Sequence, residues 1–265
     1  MNYVEMGPAG APALVLLHGL SGAWQNWLEN IPHFAHKFRV LAPDLPGFGA
    51  SSMPPWPISI PAYAEFLYRY LDEVGVDDCA IVGSSMGGFI AAEAAIGAPQ
   101  RFSKLTLVSA AGVSSARLRS RPTEVAARMV AAAAPYVVKA RARTFTRPGA
   151  RELAFRNVVE RPLDLRPELL WEVFEGGVGD RGFVDALASL AGYDFLDRLE
   201  QVDTPTLIVW GREDRIVSSA DAPEFGSRLP NSSTVIFGDC GHLPMAERPV
   251  RFNRVLETFL ADASS

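Results

Sequence analysis

The chain is poor in cysteine, in charge of one sign and in long apolar runs, and each shortage excludes a class of protein. Two cysteines among 265 residues, Cys79 and Cys240, cannot build the disulfide framework of a small secreted domain. Lys and Arg number 25 against 30 Asp and Glu, a formal net charge of −5 that argues against a general nucleic-acid binder. No run reaches the roughly 20 apolar residues that span a bilayer. The longest, Met129 to Val138, is short and contains Pro135. The N-terminus lacks the basic, apolar, small-residue order of a secretory signal. His33 and His36 share a helix face, but no carboxylate or cysteine cluster accompanies them, so no metal is expected. The expectation is a cytoplasmic protein with no membrane span, no metal and no nucleic-acid partner.

Against these absences stands a hydrophobic content of 48%, enough for a substantial core. Short apolar runs alternate with helical patterns. Strands are expected at Asn2–Met6, Leu14–Leu17, Arg39–Ala42, Cys79–Val82, Lys104–Ser109, Pro205–Trp210 and Ser233–Phe237. Helices are expected at Trp24–Lys37 (interrupted or bent near Pro32), Pro61–Val74, Met86–Ala98, Ala220–Leu229 and Pro249–Ala261. Such alternation implies a mostly parallel sheet covered on both faces.

One pattern carries chemistry. Gly83-Ser84-Ser85-Met86-Gly87 fits G-x-S-x-G between an apolar strand and a small-residue helix. The turn is tight, and side chains two residues either side of Ser85 would clash, which glycine avoids. A carboxylate follows far downstream in Gly211-Arg212-Glu213-Asp214, after the buried strand Leu207-Ile208-Val209-Trp210. A histidine comes later still, in Gly241-His242-Leu243-Pro244. The chain order Ser, Asp, His is the one α/β-hydrolases use, unlike chymotrypsin or subtilisin.

With Leu16-Leu17-His18-Gly19, Ala42 to Gly49, Val82 to Gly88, Val209 to Asp214 and Cys240 to Pro249, the chain resembles the α/β-hydrolases. The likeness is to lid-bearing serine esterases, monoacylglycerol lipases and lactonases. It implies an α/β-hydrolase fold: a mostly parallel sheet with helices on both faces and a helical lid inserted after the sixth strand. The implied organisation is a core over residues 1–110, a helical cap over 111–193 and the rest of the core over 194–265. Relatives usually begin with two strands before the His-Gly strand. Here one short candidate precedes it, so either the edge strand is absent or the natural start lies upstream of Met1.

The resemblance also assigns roles. Ser85 is the expected nucleophile, His242 the base and Asp214 its orienting acid, with the G-x-x-D spacing favouring Asp214 over Glu213. Oxyanion donors are expected from the backbone N–H groups of Leu20 and Met86. Leu20, Trp24, Met86, Val217 and Leu243 are expected to shape an apolar acyl pocket, with Trp24, Val217 and Leu243 contacting substrate. His18 is read as a structural ring, Asp44 as a turn-stabilising carboxylate, and Glu247 as a pin for the loop after His242. No cofactor is expected. The expected activity is hydrolysis of small to medium acyl esters by a monomer or homodimer. A lactonase, a carbon–carbon bond hydrolase of dienoate ring-fission products, a haloperoxidase or perhydrolase, and a slow-hydrolysing ligand receptor remain as alternatives. From Val113 to Arg151 there are nine Lys or Arg and a single acid, Glu124. Lys139, Arg143 and Arg147 there are spaced to share a helix face, which suits either a solvated outer surface or attraction of an anionic substrate or acidic carrier.

Overall fold

The computed structural model describes residues 1–116, 147–174, 181–191 and 193–262. Seven strands form one sheet: β1 (Tyr3–Met6), β2 (Ala13–Leu17), β3 (Arg39–Pro43), β4 (Cys79–Ser84), β5 (Phe102–Val108), β6 (Thr206–Gly211) and β7 (Ser232–Phe237). Their order is β1-β3-β2-β4-β5-β6-β7. Only β1 runs antiparallel, pairing with β3; the other neighbours are parallel. The expected strands are all present.

Ten helices accompany the sheet among the described residues: α1 (Ile31–Phe34), α2 (Ile60–Glu73), α3 (Met86–Gly97), α4 (Val113–Ala116), α5 (Pro148–Phe155), α6 (Pro167–Phe174), α7 (Phe183–Leu190), α8 (Asp221–Arg228), α9 (Pro244–Glu247) and α10 (Pro249–Ala261). The pleat sends alternate strand residues to opposite faces. Val15 and Leu17 join α2, α3 and α8 in one buried cluster, while Leu14 and Leu16 join α1 and α10 in another. Both faces are therefore covered, which explains why the central strands read as unbroken apolar runs.

Local chemistry accounts for the helices nearest the site. Ser59 caps α2, its Oγ accepting from the Ala62 N–H at 3.2 Å. Residues Met86 to Ala95 of α3 are buried on every side, and the run of glycine and alanine lets the backbone pack closely on β4 and β5.

Of the two readings of 24–37, a helix interrupted or bent near Pro32, the structure shows the interrupted one. A 3-10 turn over Trp24–Trp27 is followed by the separate four-residue α1, with Pro32 in its first turn. Proline lacks the N–H that a continuous helix would need there, so the chain restarts rather than bends. Helices α4 to α7 lie between β5 and β6. One strand, not two, precedes β2, so in this chain the insert expected after the sixth strand of the usual fold follows the fifth. Lys139 and Arg143 lie outside the described residues, as do Met129, Val130, Tyr136 and Val137, which the sequence suggests as an apolar inner face of the lid suited to an acyl chain. No helix among the described residues is long and apolar enough to cross a membrane.

Candidate active site

Ser85 sits between β4 and α3 with φ +53° and ψ −116°, a backbone conformation that L-residues other than glycine rarely adopt. Its N–H donates to the Val108 carbonyl (2.9 Å), and its carbonyl accepts from Gly88, Phe89 and Ala111. These four bonds hold the turn in its strained shape. The glycines on either side are sterically required. A methyl at Gly83 would run into the Gly87 backbone. One at Gly87 would lie 2.5 and 2.6 Å from the carbonyl oxygens of His18 and Leu17.

The loop after β2 passes over this turn, so close that a methyl at Gly19 would be 3.0 Å from Ser85 Cβ. His18 holds that loop. Its Nδ1 lies 2.8 Å from the Gly19 carbonyl, and its Nε2 accepts from the Leu45 N–H at 2.9 Å. That pairing assigns the neutral Nδ1–H tautomer. Burial pushes the His18 pKa down, which agrees with a neutral ring. Asp44 gathers the neighbouring loops: it accepts from the Trp24 N–H (2.8 Å), Asn2 Nδ2 (2.7 Å) and the Ala50 N–H (2.9 Å).

Asp214 follows β6 and His242 follows β7, so two adjacent parallel strands deliver them side by side. His242 Nδ1 lies 2.8 Å from Asp214 Oδ2, with the Asp214 side chain shut off from solvent and that of His242 7% exposed. The other oxygen, Oδ1, accepts from the N–H groups of Ile216 (2.8 Å) and Val217 (3.0 Å). Glu213 points elsewhere, accepting from the Cys240 N–H at 2.9 Å. The adjacent carboxylate thus ties the two loops together, and Asp214 alone meets the imidazole. Cys240 is buried, and burial pushes its thiol pKa up, so a thiolate there is disfavoured.

Ser85 and His242 line a common cavity of about 380 Å³. Leu20, Val217 and Leu243 line it too, as expected. Trp24 is not among its lining residues: the indole packs against the core cluster on the α10 side of the sheet. The Trp24 N–H donates to Asp44, which fixes the backbone at the start of the 3-10 turn. The Met86 side chain is fully buried in the core rather than in the pocket. Its N–H, however, belongs to the first turn of α3, whose donors have no partner within the helix.

Several lining residues carried no sequence signal. Val158, Val173, Leu187, Leu190 and Ala191 come from the helical segment between β5 and β6, and Asn26 and Ser115 add polar atoms. Asn26 also donates to the Val173 carbonyl at 3.1 Å, bridging the cavity floor to α6. No group of three or more His, Cys, Asp or Glu able to hold a metal ion occurs among the described residues.

A strained serine after a central strand, an Asp–His pair after the last two strands and a shared cavity form the arrangement that this topology is built to present. A sequence model of the alpha/beta hydrolase fold matches residues 12–249. The chain belongs to the alpha/beta hydrolase fold family. This hydrolase is 31% identical, over 98% of its length, to the dihydrolipoyllysine-residue acetyltransferase component of the acetoin cleaving system of Cupriavidus necator. It spans 66% of that relative's length. It is also 31% identical, over 98% of its length and 90% of the relative's, to a 2-hydroxy-6-oxononadienedioate/2-hydroxy-6-oxononatrienedioate hydrolase of Burkholderia vietnamiensis. Among solved structures, a thermophilic esterase from Thermogutta terrifontis superposes with a TM-score of 0.79. That match has 25% identity and covers 98% of this chain and 92% of the esterase.

Proposed function

We propose that this hydrolase cleaves carboxylic esters of small to medium acyl chains through an acyl-enzyme on Ser85. The observation that carries the reading is the 2.8 Å contact between His242 and Asp214 at the wall of the cavity that Ser85 enters. A serine hydroxyl is a weak nucleophile and needs such a base. Ser85 Oγ attacks the ester carbonyl carbon while His242 Nε2 takes its proton. Asp214 holds Nδ1–H and stabilises the imidazolium. The tetrahedral oxyanion is met by the N–H groups of Leu20 and Met86, the first on the loop that crosses Ser85 and the second at the start of α3. Collapse expels the alcohol, which receives the proton from His242. Water, deprotonated by the same imidazole, then releases the acid and restores Ser85. Every proton in this sequence moves between protein side chains, substrate and water, so the mechanism calls on no cofactor.

The lining supports an uncharged acyl group. Leu20, Val158, Val173, Leu187, Leu190, Ile216, Val217 and Leu243 dominate it, and no described lining residue is Lys or Arg. The helices α4 to α7 act as the lid in this reading.

A second reading is carbon–carbon bond hydrolysis, favoured by the Burkholderia vietnamiensis relative whose name states that reaction. Its dioate substrate carries two carboxylates, for which the described lining offers no basic partner. Initial rates on p-nitrophenyl esters from acetate to palmitate, with wild type beside Ser85→Ala, test the first reading. A Ser85-dependent maximum at one chain length supports it. Ser85-dependent turnover of a dienoate ring-fission product with none of any ester would replace it with the second.

A further inference from the structure

The loop that carries His242 is gripped from outside the sheet. The His242 N–H donates to the Val158 carbonyl at 2.8 Å, so a residue of the segment between α5 and α6 holds the histidine's own backbone. Val158 also lines the cavity. Beneath this contact lies Glu247, a carboxylate with 4% exposure. Its Oε2 accepts from the N–H groups of Glu160 (2.9 Å) and Gly241 (3.0 Å), and its Oε1 accepts from Leu243 (3.1 Å). The residues immediately before and after His242 are thus tied to the same carboxylate as residue 160.

The fit leaves no slack. A methyl at Gly241 would lie 2.7 Å from the Val158 oxygen, 2.9 Å from the Glu160 nitrogen and 3.1 Å from Glu247 Oε1. The acid loop is engaged as well. Arg215, next to Asp214, donates to the Arg156 carbonyl and lies 2.7 Å from the Glu160 carboxylate. Residues 156–161 therefore touch both loops that bring Asp214 and His242 together. Three backbone donors on one buried carboxylate outweigh anything a neutral residue would make there, because each donor would otherwise be buried without a partner. Burial pushes the Glu247 pKa up and the three N–H groups pull it back, consistent with a carboxylate held in place by backbone dipoles.

We propose that Glu247 is a positioning residue that couples residues 156–161 to His242, aligning the imidazole with Asp214 and Ser85 only while that segment is seated. The inference rests on the assignment of His242 as the base. It makes the helical segment more than a cover: a substrate that presses on Val158 from inside the cavity acts through one hydrogen bond on the backbone of the base.

The test uses two variants that open the clasp from opposite sides. Glu247→Gln keeps the shape but turns an N–H donor toward one of the three donors. Gly241→Ala keeps the carboxylate and pushes the 158–160 backbone away. The first readout is the deshielded His242 Nδ1 proton resonance of the hydrogen bond to Asp214, in the full-length protein without substrate. The second is steady-state kinetics on the best p-nitrophenyl ester. Both variants are expected to weaken or abolish the resonance and to lower kcat about ten- to a hundredfold, as a misplacement of about 1 Å does. For Glu247→Gln, whose side chain lies outside the cavity lining, KM should stay within about twofold, whereas Gly241→Ala also shifts Val158, which lines the cavity, and is judged on the resonance and kcat. Lys104→Met is the control. Lys104 Nζ donates to the carbonyls of Phe259 and Leu260 near the far end of β5, so its loss should lower the melting temperature with resonance and kcat intact.

A folded Glu247→Gln or Gly241→Ala with wild-type resonance, or with wild-type kcat, overturns the proposal. Where Glu247→Gln does not fold, Gly241→Ala decides alone. If the wild type turns over no ester, the ester reading fails and the resonance still decides the coupling.

Discussion

Asp214 and His242 meet at 2.8 Å, Oδ2 to Nδ1, while Glu213, one residue earlier, turns to the Cys240 N–H. Adjacent carboxylates therefore have separable functions. Asp214→Asn leaves the shape but presents the wrong hydrogen-bond partner to the imidazole, and kcat should fall by about 10⁴. Glu213→Gln keeps an oxygen that can accept from the Cys240 N–H and so weakens the loop tether by no more than roughly 1 kcal/mol, and its kcat should fall by less than about tenfold. Steady-state kinetics of the two variants side by side check this. Equal losses would mean the acid has been misassigned.

The strained turn makes a second prediction. The positive φ of Ser85 costs about 1–3 kcal/mol, and glycine relieves it at about 1 kcal/mol of extra unfolded-chain entropy. Ser85→Gly should abolish turnover and, with a net gain of about 0–2 kcal/mol, leave the melting temperature unchanged or raise it by up to about 8 °C. A melting temperature clearly below that of wild type, read by calorimetry, would show that the turn is not strained.

Gly87 tests the packing of the same turn. Gly87→Ala forces the Leu17 and His18 carbonyls apart, since the new methyl starts 2.5 and 2.6 Å from them. Overpacking of this kind costs about 1–3 kcal/mol, which urea unfolding measures directly. Ala at Gly149, where nothing lies within 4 Å, should cost no more than about 0.5 kcal/mol.

His18 sets part of the pH dependence of stability. Its folded pKa lies below the unfolded value of 6.5 because burial disfavours the charged ring. The unfolded chain then binds a proton that the folded chain refuses, so this contribution is complete above pH 6.5 and is lost as pH falls below it. Urea unfolding at pH 7.5 and pH 5 should show a larger drop in stability for wild type than for His18→Gln. The same drop in both would remove His18 from the account.

The sequence was most legible where backbone constraints are severe. Gly83, Ser85 and Gly87 stand out because the turn excludes other residues, and the neutral ring of His18 follows from its place between two loops. Asp214 and His242 were legible through their spacing after apolar strands, which parallel order places side by side. Trp24 was misread because an aromatic residue beside a site loop gives no sign of which side of the loop it faces. Its indole packs against the core cluster on the α10 side of the sheet, a contact that is invisible in sequence. Val158, Val173, Leu187 and Leu190 were missed for another reason. Val158 sits in a turn and the others on short helices, and their placement against the sheet depends on tertiary contacts such as Asn26 to Val173, not on periodicity. Whether the helical stretch 24–37 is interrupted or bent could not be decided from sequence because Pro32 can open a helix as readily as bend one.

The most direct test of the central claim is intact-protein mass spectrometry of the hydrolase quenched within its first turnovers of a p-nitrophenyl butyrate solution. The account predicts a single butyryl adduct that maps to Ser85, rises to a constant level as p-nitrophenol release reaches steady state, decays when the ester is consumed, and is missing from Ser85→Ala. An adduct on another residue, or steady turnover by Ser85→Ala, would contradict it.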